Sequence, residues 1–92
     1  MASALEILLV RLAARGISPE QIPSLIRDVL AIIGEGGLFN TRMVNDYLDC
    51  LGWSSDVLDD TGFQLIVYIL ESEWGYRVNC YKLEESHSQY YH

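Results

Sequence analysis

Basic residues are scarce in this sequence. Six Lys and Arg stand against thirteen Asp and Glu, which gives a formal net charge of −7 at pH 7. The scarcity is greatest between residues 45 and 73, where seven carboxylates occur without a single Lys or Arg. Nucleic acids and anionic membrane surfaces are bound largely through Lys and Arg that neutralise phosphate groups. Both functions are therefore disfavoured, and this charge favours a basic protein as the partner.

Cysteine and histidine, which are common metal ligands, are also rare in this sequence. Cys50 and Cys80 lie in no C-x-x-C or Cys/His cluster, so we expect buried free thiols, with one disulfide as the alternative. His87 and His92 have no acidic or thiol partner at a metal-binding spacing. The glycine-rich segment 34–37 lacks the spacing of a phosphate-binding loop. We therefore expect no metal and no other cofactor.

A catalytic set of side chains is also missing. Asp59 and Asp60 are adjacent, and neighbouring positions on a helix point about 100° apart, so the pair cannot act on one substrate. A calcium-binding loop that began at Asp56 would need an acidic third residue and a glycine at the sixth position, where Leu58 and Thr61 stand. The histidines lie only near the C-terminus, so no nucleophile with a neighbouring base is evident. The sequence predicts no enzymatic activity.

A long uninterrupted apolar run is absent as well. The N-terminal apolar segment is interrupted by Glu6, and Arg11 and Arg15 follow it, whereas a secretory signal carries its positive charge first. Crossing a bilayer takes about 20 apolar residues. The sequence thus predicts a cytosolic protein without a membrane span.

The sequence does contain enough apolar material for one folded domain. Half of its 92 residues are apolar and 21% are charged, which is typical of globular chains. A chain of this length builds a single core. We expect residues 1–83 to form the domain, and residues 84–92, which have no apolar period, to form a flexible tail.

Apolar spacing and capping signals predict four helices. The first begins at a capping box of Ser3 and Glu6 and ends at about Arg15, before Gly16. A short turn that begins at Ser18 leads into the second helix. The remaining helices are expected at residues 23–33, 40–51 and 61–74, with Asn40 and Thr61 at the starts of the last two.

In the third helix, one face is expected to contact the core. Its members are Met43, Val44, Tyr47, Leu48 and Leu51. On the outer face, Arg42 is expected to pair with Asp46 at a spacing of four residues. Residues 76–83 then alternate in polarity and predict a strand, whose partner is either the short segment 37–39 or a strand from a second subunit.

Segments 37–53 and 70–78 together resemble winged helix-turn-helix domains. Thr41, Val44, Leu48, Leu51 and Gly52 match the first helix and the turn of that family; Leu70, Glu71, Gly75, Tyr76 and Val78 match the end of its recognition helix and the start of its wing. The resemblance covers about residues 22–83 and implies a DNA-binding regulator. The sequence departs from the family in a longer segment before residue 70, in the lack of a clear third strand, and in a recognition helix without Lys or Arg.

Two surfaces are predicted to bind partners. The first and fourth helices carry more apolar residues than a small core covers, which predicts a homodimer. The residues expected to mediate self-association are Leu5, Leu8, Leu9, Leu12, Leu65, Tyr68 and Ile69. The acidic face expected to meet a basic protein consists of Asp46, Asp49, Asp56, Asp59 and Asp60. A helix start explains the presence of an aspartate at position 59 or 60, whereas the sequence offers no structural reason for Asp56.

The sequence therefore predicts a mainly α domain with four helices, a short C-terminal strand and a winged-helix-like core preceded by an extra helix. The predicted function is that of a small interaction or regulatory module. A sharper hypothesis is that the acidic face imitates a phosphate array, and the alternative is that it only keeps the protein in solution. A winged-helix DNA-binding regulator is the competing function.

Overall fold

The computed structural model describes residues 2–34 and 39–76, and this part of the chain is mainly helical. It contains four α-helices and one short 3-10 turn at Pro19–Gln21. The helices are α1 (Ala4–Ala13), α2 (Ile22–Ile33), α3 (Thr41–Cys50) and α4 (Asp60–Ser72). These described residues contain no strand. The mainly α class is thus confirmed, whereas residues 77–83 of the predicted strand, most of its proposed partner segment and the predicted tail lie outside the described residues.

The start of α1 forms as the sequence predicts, whereas the helix ends at Ala13, before the predicted end at about Arg15. The Ser3 hydroxyl accepts a hydrogen bond from the Glu6 N–H at 3.1 Å, and the Ser3 N–H donates to Glu6 Oε1 at 2.9 Å. These reciprocal bonds satisfy two backbone groups that a helix start otherwise leaves unpaired. After the helix, Gly16 adopts a φ of +86°, a conformation that side chains with a Cβ disfavour.

The four helices enclose one apolar core. α1 packs chiefly on α4, and α2 packs on both α3 and α4. Leu8, Leu25, Val44, Leu48 and Phe63 are among the side chains with no exposed surface. Burial of each such side chain contributes about 1.5–3 kcal/mol to folding. α1 is therefore part of the core of the domain rather than an appendage.

α3 turns a different face to the core from the one predicted. Val44 and Leu48 are buried as expected, but Met43, Tyr47 and Leu51 are exposed. The buried polar residues Thr41 and Asn45 take their place, so the prediction for those three side chains is wrong. Apolar spacing predicted the wrong core-facing side of α3 because it carries no information on hydrogen bonds. Thr41 and Asn45 can be buried because both have hydrogen-bond partners inside the protein.

The start of α4 also differs from the prediction. Asp59, rather than Thr61, caps the helix, because its Oδ1 accepts a hydrogen bond from the Gly62 N–H at 2.7 Å. This confirms that one of the two adjacent aspartates is a helix-start residue. At the other end, Gly75 has a φ of +75°, and the Tyr76 N–H returns to the Leu70 carbonyl at 2.9 Å.

Two smaller predictions about residues of α3 are wrong. Cys50 is a free thiol but is exposed rather than buried, and Cys80 lies outside the described residues. Within residues 2–34 and 39–76, the ion pairs join Asp59 to Arg11 and to Arg15, and Arg42 does not pair with Asp46.

Candidate functional site

The loop that joins α3 to α4, residues 51–59, is fixed by contacts with three helices. Gly52 has a φ of +105° and ends the turn after α3. The Trp53 indole N–H then donates to Asp28 Oδ2 of α2 at 2.8 Å, and the Trp53 backbone N–H donates to the Leu48 carbonyl at 3.0 Å. These bonds hold the first half of the loop against α2 and α3.

Asn45 fixes the second half of the loop and was not singled out by the sequence. Its side-chain Nδ2 donates to the Leu58 carbonyl at 2.8 Å, and its Oδ1 accepts from the Leu58 N–H at 3.1 Å. One buried amide thus satisfies both backbone groups of a buried loop residue, as a neighbouring strand would. The sequence signal that could have identified Asn45 was its position beside Val44 and Leu48 on the helix. A polar side chain at such a position needs a hydrogen-bond partner inside the protein.

α1 supplies positive charge to the part of the chain whose sequence has none. Arg11 forms a hydrogen-bonded ion pair with Asp59, and Arg15 Nη2 lies 3.7 Å from the same carboxylate. Arg15 Nη1 also donates to the Asp56 backbone carbonyl at 2.6 Å. Nearby, the Thr41 hydroxyl donates to Asp60. Residues far apart in sequence therefore engage three of the five predicted contact aspartates: Asp59 and Asp60 through their carboxylates, and Asp56 through its backbone carbonyl.

Asp59 is held in its ionised form. Partial burial raises the pKa of its carboxyl, but the Gly62 N–H bond, the Arg11 bond and the charges of Arg11 and Arg15 together lower the pKa below its ordinary value. Opposite charge and hydrogen bonding to a carboxylate both favour the ionised form. The carboxylate thus serves as a helix cap and as an anchor for α1.

The predicted acidic face is consequently smaller than the sequence indicates. A shallow polar depression is lined by Thr41, Arg42, Asn45, Asp56, Asp59 and Asp60. The three carboxylates around it are matched by three guanidinium groups, namely Arg42 in its wall and Arg11 and Arg15 beside Asp59. The formal charges of these six groups cancel, which leaves little excess negative charge around this depression, and the phosphate-imitation hypothesis stays a prediction.

Asp56 has a structural reason that the sequence did not reveal. Its φ is +53°, in the left-handed region that aspartate and asparagine tolerate better than most other residues. Its side chain is exposed, whereas its backbone carbonyl accepts the bond from Arg15. The conformation of the loop thus accounts for an aspartate at this position.

The outer side of α3 combines apolar and acidic side chains. Met43, Tyr47 and Leu51, spaced four residues apart, are 42%, 54% and 59% exposed and form one stripe along the helix. The Tyr47 ring makes an edge contact with Phe39, with centroids 6.5 Å apart. Asp46 and Asp49 are exposed on the same helix. Asp46 lies about 60° around the helix from Met43, whereas Asp49 lies about 160° from Tyr47. We call Met43, Asp46, Tyr47 and Leu51 the α3 surface.

The predicted self-association residues are divided by the fold. Leu8, Leu12 and Ile69 lie in the core of the single chain and are not available to a second copy. The other four lie nearer the surface: Leu9 and Leu65 are half-buried against the core, and Leu5 and Tyr68 are exposed. The prediction needs correction because α1 and α4 use their richest apolar stripes to pack on each other.

A different side of α1 is exposed. Val10 is 71% exposed, more than any other large apolar side chain in the described part of the chain, and Ile7 is 40% exposed. Ile7, Val10 and Ala14 follow one another at helical spacing, and all three are exposed. We call these three residues the α1 face.

An apolar groove lies between α1, α2 and the end of α4. Its volume is 170 Å³, and its walls include Leu5, Leu9, Ile26 and Trp74, with Glu73 beside them. A cavity of about 150 Å³ holds a benzene-sized molecule. The volume of the groove does not indicate which ligand it would bind. The α1 face and the α3 surface are therefore the stronger candidate sites.

No side-chain cluster in the described ranges could hold a metal ion with three His, Cys, Asp or Glu ligands. None of the helices in that part of the chain has the length and apolarity needed to cross a membrane. No protein-family model, curated protein or solved structure matches the chain. The resemblance to winged helix-turn-helix domains therefore stays a prediction.

Proposed function

We propose that the protein is a cytosolic protein–protein interaction module that forms a homodimer. The observation that supports this function is the arrangement of its exposed apolar side chains. Of the nine exposed large apolar side chains in the described residues, five form two stripes at helical spacing, on the α1 face and on the apolar part of the α3 surface. Grouped apolar side chains on a small soluble domain commonly mark sites of contact with other proteins.

The α1 face is the part of the surface best suited to a second copy. Two chains that each carry a charge of −7 repel one another, so their contact must avoid the carboxylates. Ile7, Val10 and Ala14 are uncharged, and α1 with its following turn contributes one carboxylate, Glu6, and the two guanidinium groups described above. Self-association through this face buries exposed apolar surface on a helix that carries a single carboxylate, Glu6.

The experiment is light scattering after gel filtration at tens of micromolar protein. The wild-type chain is expected to elute as a dimer of twice its 10.5 kDa mass. Val10→Gln should shift the dimer towards the monomer, because it places a polar group in the apolar contact. Leu51→Gln is the matched control, since it makes the same kind of change at an exposed apolar residue at the C-terminal end of α3. A monomeric wild type, or equal behaviour of the two variants, contradicts self-association through α1.

The competing DNA-binding function finds little support in the described residues. Such a role would need Arg11, Arg15, Arg77 and Lys82 to converge on one surface. Arg11 and Arg15 instead bond to Asp59 and to the Asp56 carbonyl, and the other two lie outside the described residues. A shift of random duplex DNA at 50 mM salt, weakening steeply as salt is raised, would restore this function over the one we propose.

A further inference from the structure

We propose that two copies of the chain pair through parallel α1 helices, with Glu6 of each copy bonded to Arg11 of the other. This inference rests on the proposed self-association through α1. It adds the relative orientation of the two helices and the ion pairs that fix it. The argument comes from the order of apolar and charged residues around the exposed side of α1.

The exposed stripe of α1 has the spacing of a coiled-coil contact. Ser3, Ile7, Val10 and Ala14 follow one another at intervals of four, three and four residues, and all four are exposed in the single chain. Ile7 stands at the position of this repeat where a β-branched side chain favours two-stranded pairing. A second α1 helix is therefore a partner whose side chains match this stripe.

Charged residues of opposite sign border the stripe on its two sides. At about 100° per residue, Glu6 lies about 40° beyond Val10 on one side of the stripe. Arg11 lies about 40° beyond Ile7 on the other side. Glu6 is exposed and Arg11 is partly exposed, so both can reach a neighbouring helix.

Parallel pairing brings these opposite charges together. When a two-fold axis runs along two parallel helices, the Glu6 side of one copy faces the Arg11 side of the other. The two residues are then about 7.5 Å apart along the helix axis, a distance that their long side chains bridge. Glu6 and Arg11 thus occupy the flanking positions whose ion pairs set the orientation of coiled coils.

Antiparallel pairing would instead bring like charges to the same edge of the contact. If the helices crossed at Val10, the Arg11 residues of both copies would lie on one edge, about 3 Å apart along the axis. The Glu6 residues of both copies would share the other edge. The distribution of charge on α1 therefore favours the parallel arrangement.

The contacts within one chain leave both residues able to form the intermolecular pair. Glu6 uses Oε1 for the Ser3 N–H, and Arg11 uses Nη2 for Asp59, so Glu6 Oε2 and Arg11 Nη1 bond to no described residue. α1 packs on α4 through its opposite side, where Leu8 is buried. The rest of each domain thus lies behind its α1 helix, away from the contact.

Cysteine cross-linking of the full-length chain, with Cys50→Ser and Cys80→Ser, distinguishes the two orientations. Ile7→Cys and Ala14→Cys are introduced one at a time. In the parallel arrangement each new thiol meets its counterpart at a separation that a disulfide bridges. In the antiparallel arrangement the two positions 7 would be about 9 Å apart along the axis, and the two positions 14 about 12 Å apart.

We therefore expect each of these variants to form a covalent dimer in a glutathione redox buffer. Met43→Cys in the same background is the matched control, because Met43 of α3 is 42% exposed and Ile7 is 40% exposed. The control should remain largely monomeric.

Glu6→Gln tests the ion pair and keeps the helix cap, because glutamine also completes a capping box. Loss of two partly exposed pairs should raise the dimer Kd about fivefold in sedimentation equilibrium at low salt. This difference should shrink in 1 M salt. Glu71→Gln, which removes an exposed carboxylate from α4, is the matched control and should not raise the Kd. Circular dichroism checks that each variant remains helical.

The outcomes separate this inference from the proposed homodimer. Disulfides that form only in a mixture of Ile7→Cys and Ala14→Cys chains would show antiparallel pairing, which overturns the inference and keeps the homodimer. An unchanged dimer Kd in Glu6→Gln, or equal cross-linking of Met43→Cys and Ile7→Cys, also overturns it. A wild type that stays monomeric at tens of micromolar rejects the homodimer and this inference together.

Discussion

Asp59 links the start of α4 to α1, and its two roles can be separated by substitution. Asp59→Ala removes both the cap on the Gly62 N–H and the ion pair with Arg11. Loss of an N-cap costs about 1 kcal/mol of stability. The two charged side chains are 38% and 37% exposed, so solvent screens the pair and its loss adds only about 0.5 kcal/mol. Asp59→Ala should therefore lower the free energy of unfolding by about 1.5 kcal/mol.

Asp59→Asn is the matched variant, because asparagine caps helices as well as aspartate does but carries no charge. It should lose only the contribution of the ion pair, about 0.5 kcal/mol at pH 7. Urea unfolding followed by circular dichroism measures both variants on one scale. The difference between the wild type and Asp59→Asn should shrink in 1 M salt, since salt screens partly exposed charges.

The same comparison predicts a dependence on pH. The pKa of Asp59 is lower in the folded protein than its ordinary value. The ionised carboxylate therefore stabilises the fold fully above the unfolded-state pKa of about 3.9, and this contribution is lost as the pH falls through the lower folded-state pKa. Refutation would come from Asp59→Asn being as destabilised as Asp59→Ala at pH 7, or from a difference that does not decline in acid.

Three further predictions concern the loop and the turns. Asn45→Ala should cost about 2 kcal/mol in urea unfolding and speed amide exchange at Leu58, because it leaves buried backbone groups unpaired; unchanged exchange would contradict this. Trp53→Phe should cost about 1 kcal/mol by losing its bond to Asp28, and a double-mutant cycle with Asp28→Ala should give a coupling clearly different from zero. Gly16→Ala should lower the free energy of unfolding by about 1 kcal/mol. The cost comes from the positive φ alone, since a Cβ there would meet no atom within 4 Å. Unchanged stability would contradict that backbone conformation.

Local signals in the sequence predicted the helices well. Ser3 with Glu6 and Asn40 with Met43 form caps between residues close in sequence, so the chain itself displays them. Gly16 and Gly75 likewise mark positions where the backbone needs a positive φ. Such features depend on few neighbours, and their interpretation does not require the tertiary structure.

Long-range contacts could not be predicted in the same way. Arg11 and Asp59 are 48 positions apart, and nothing near either residue indicates that they meet. The acidic stretch therefore looked free of positive charge, although α1 supplies it in space. The side of α3 that faces the core could not be predicted for a related reason. The buried Asn45 on that side has its hydrogen-bond partner in a loop residue 13 positions away.

Sedimentation equilibrium over a range of protein concentrations tests the proposed self-association through the α1 face most directly. We expect the wild type and Leu51→Gln to sediment with twice the 10.5 kDa mass of the chain at tens of micromolar, whereas Val10→Gln should approach the single-chain mass. A wild-type protein that remains at 10.5 kDa throughout, or a dimer that Val10→Gln leaves intact, would contradict it.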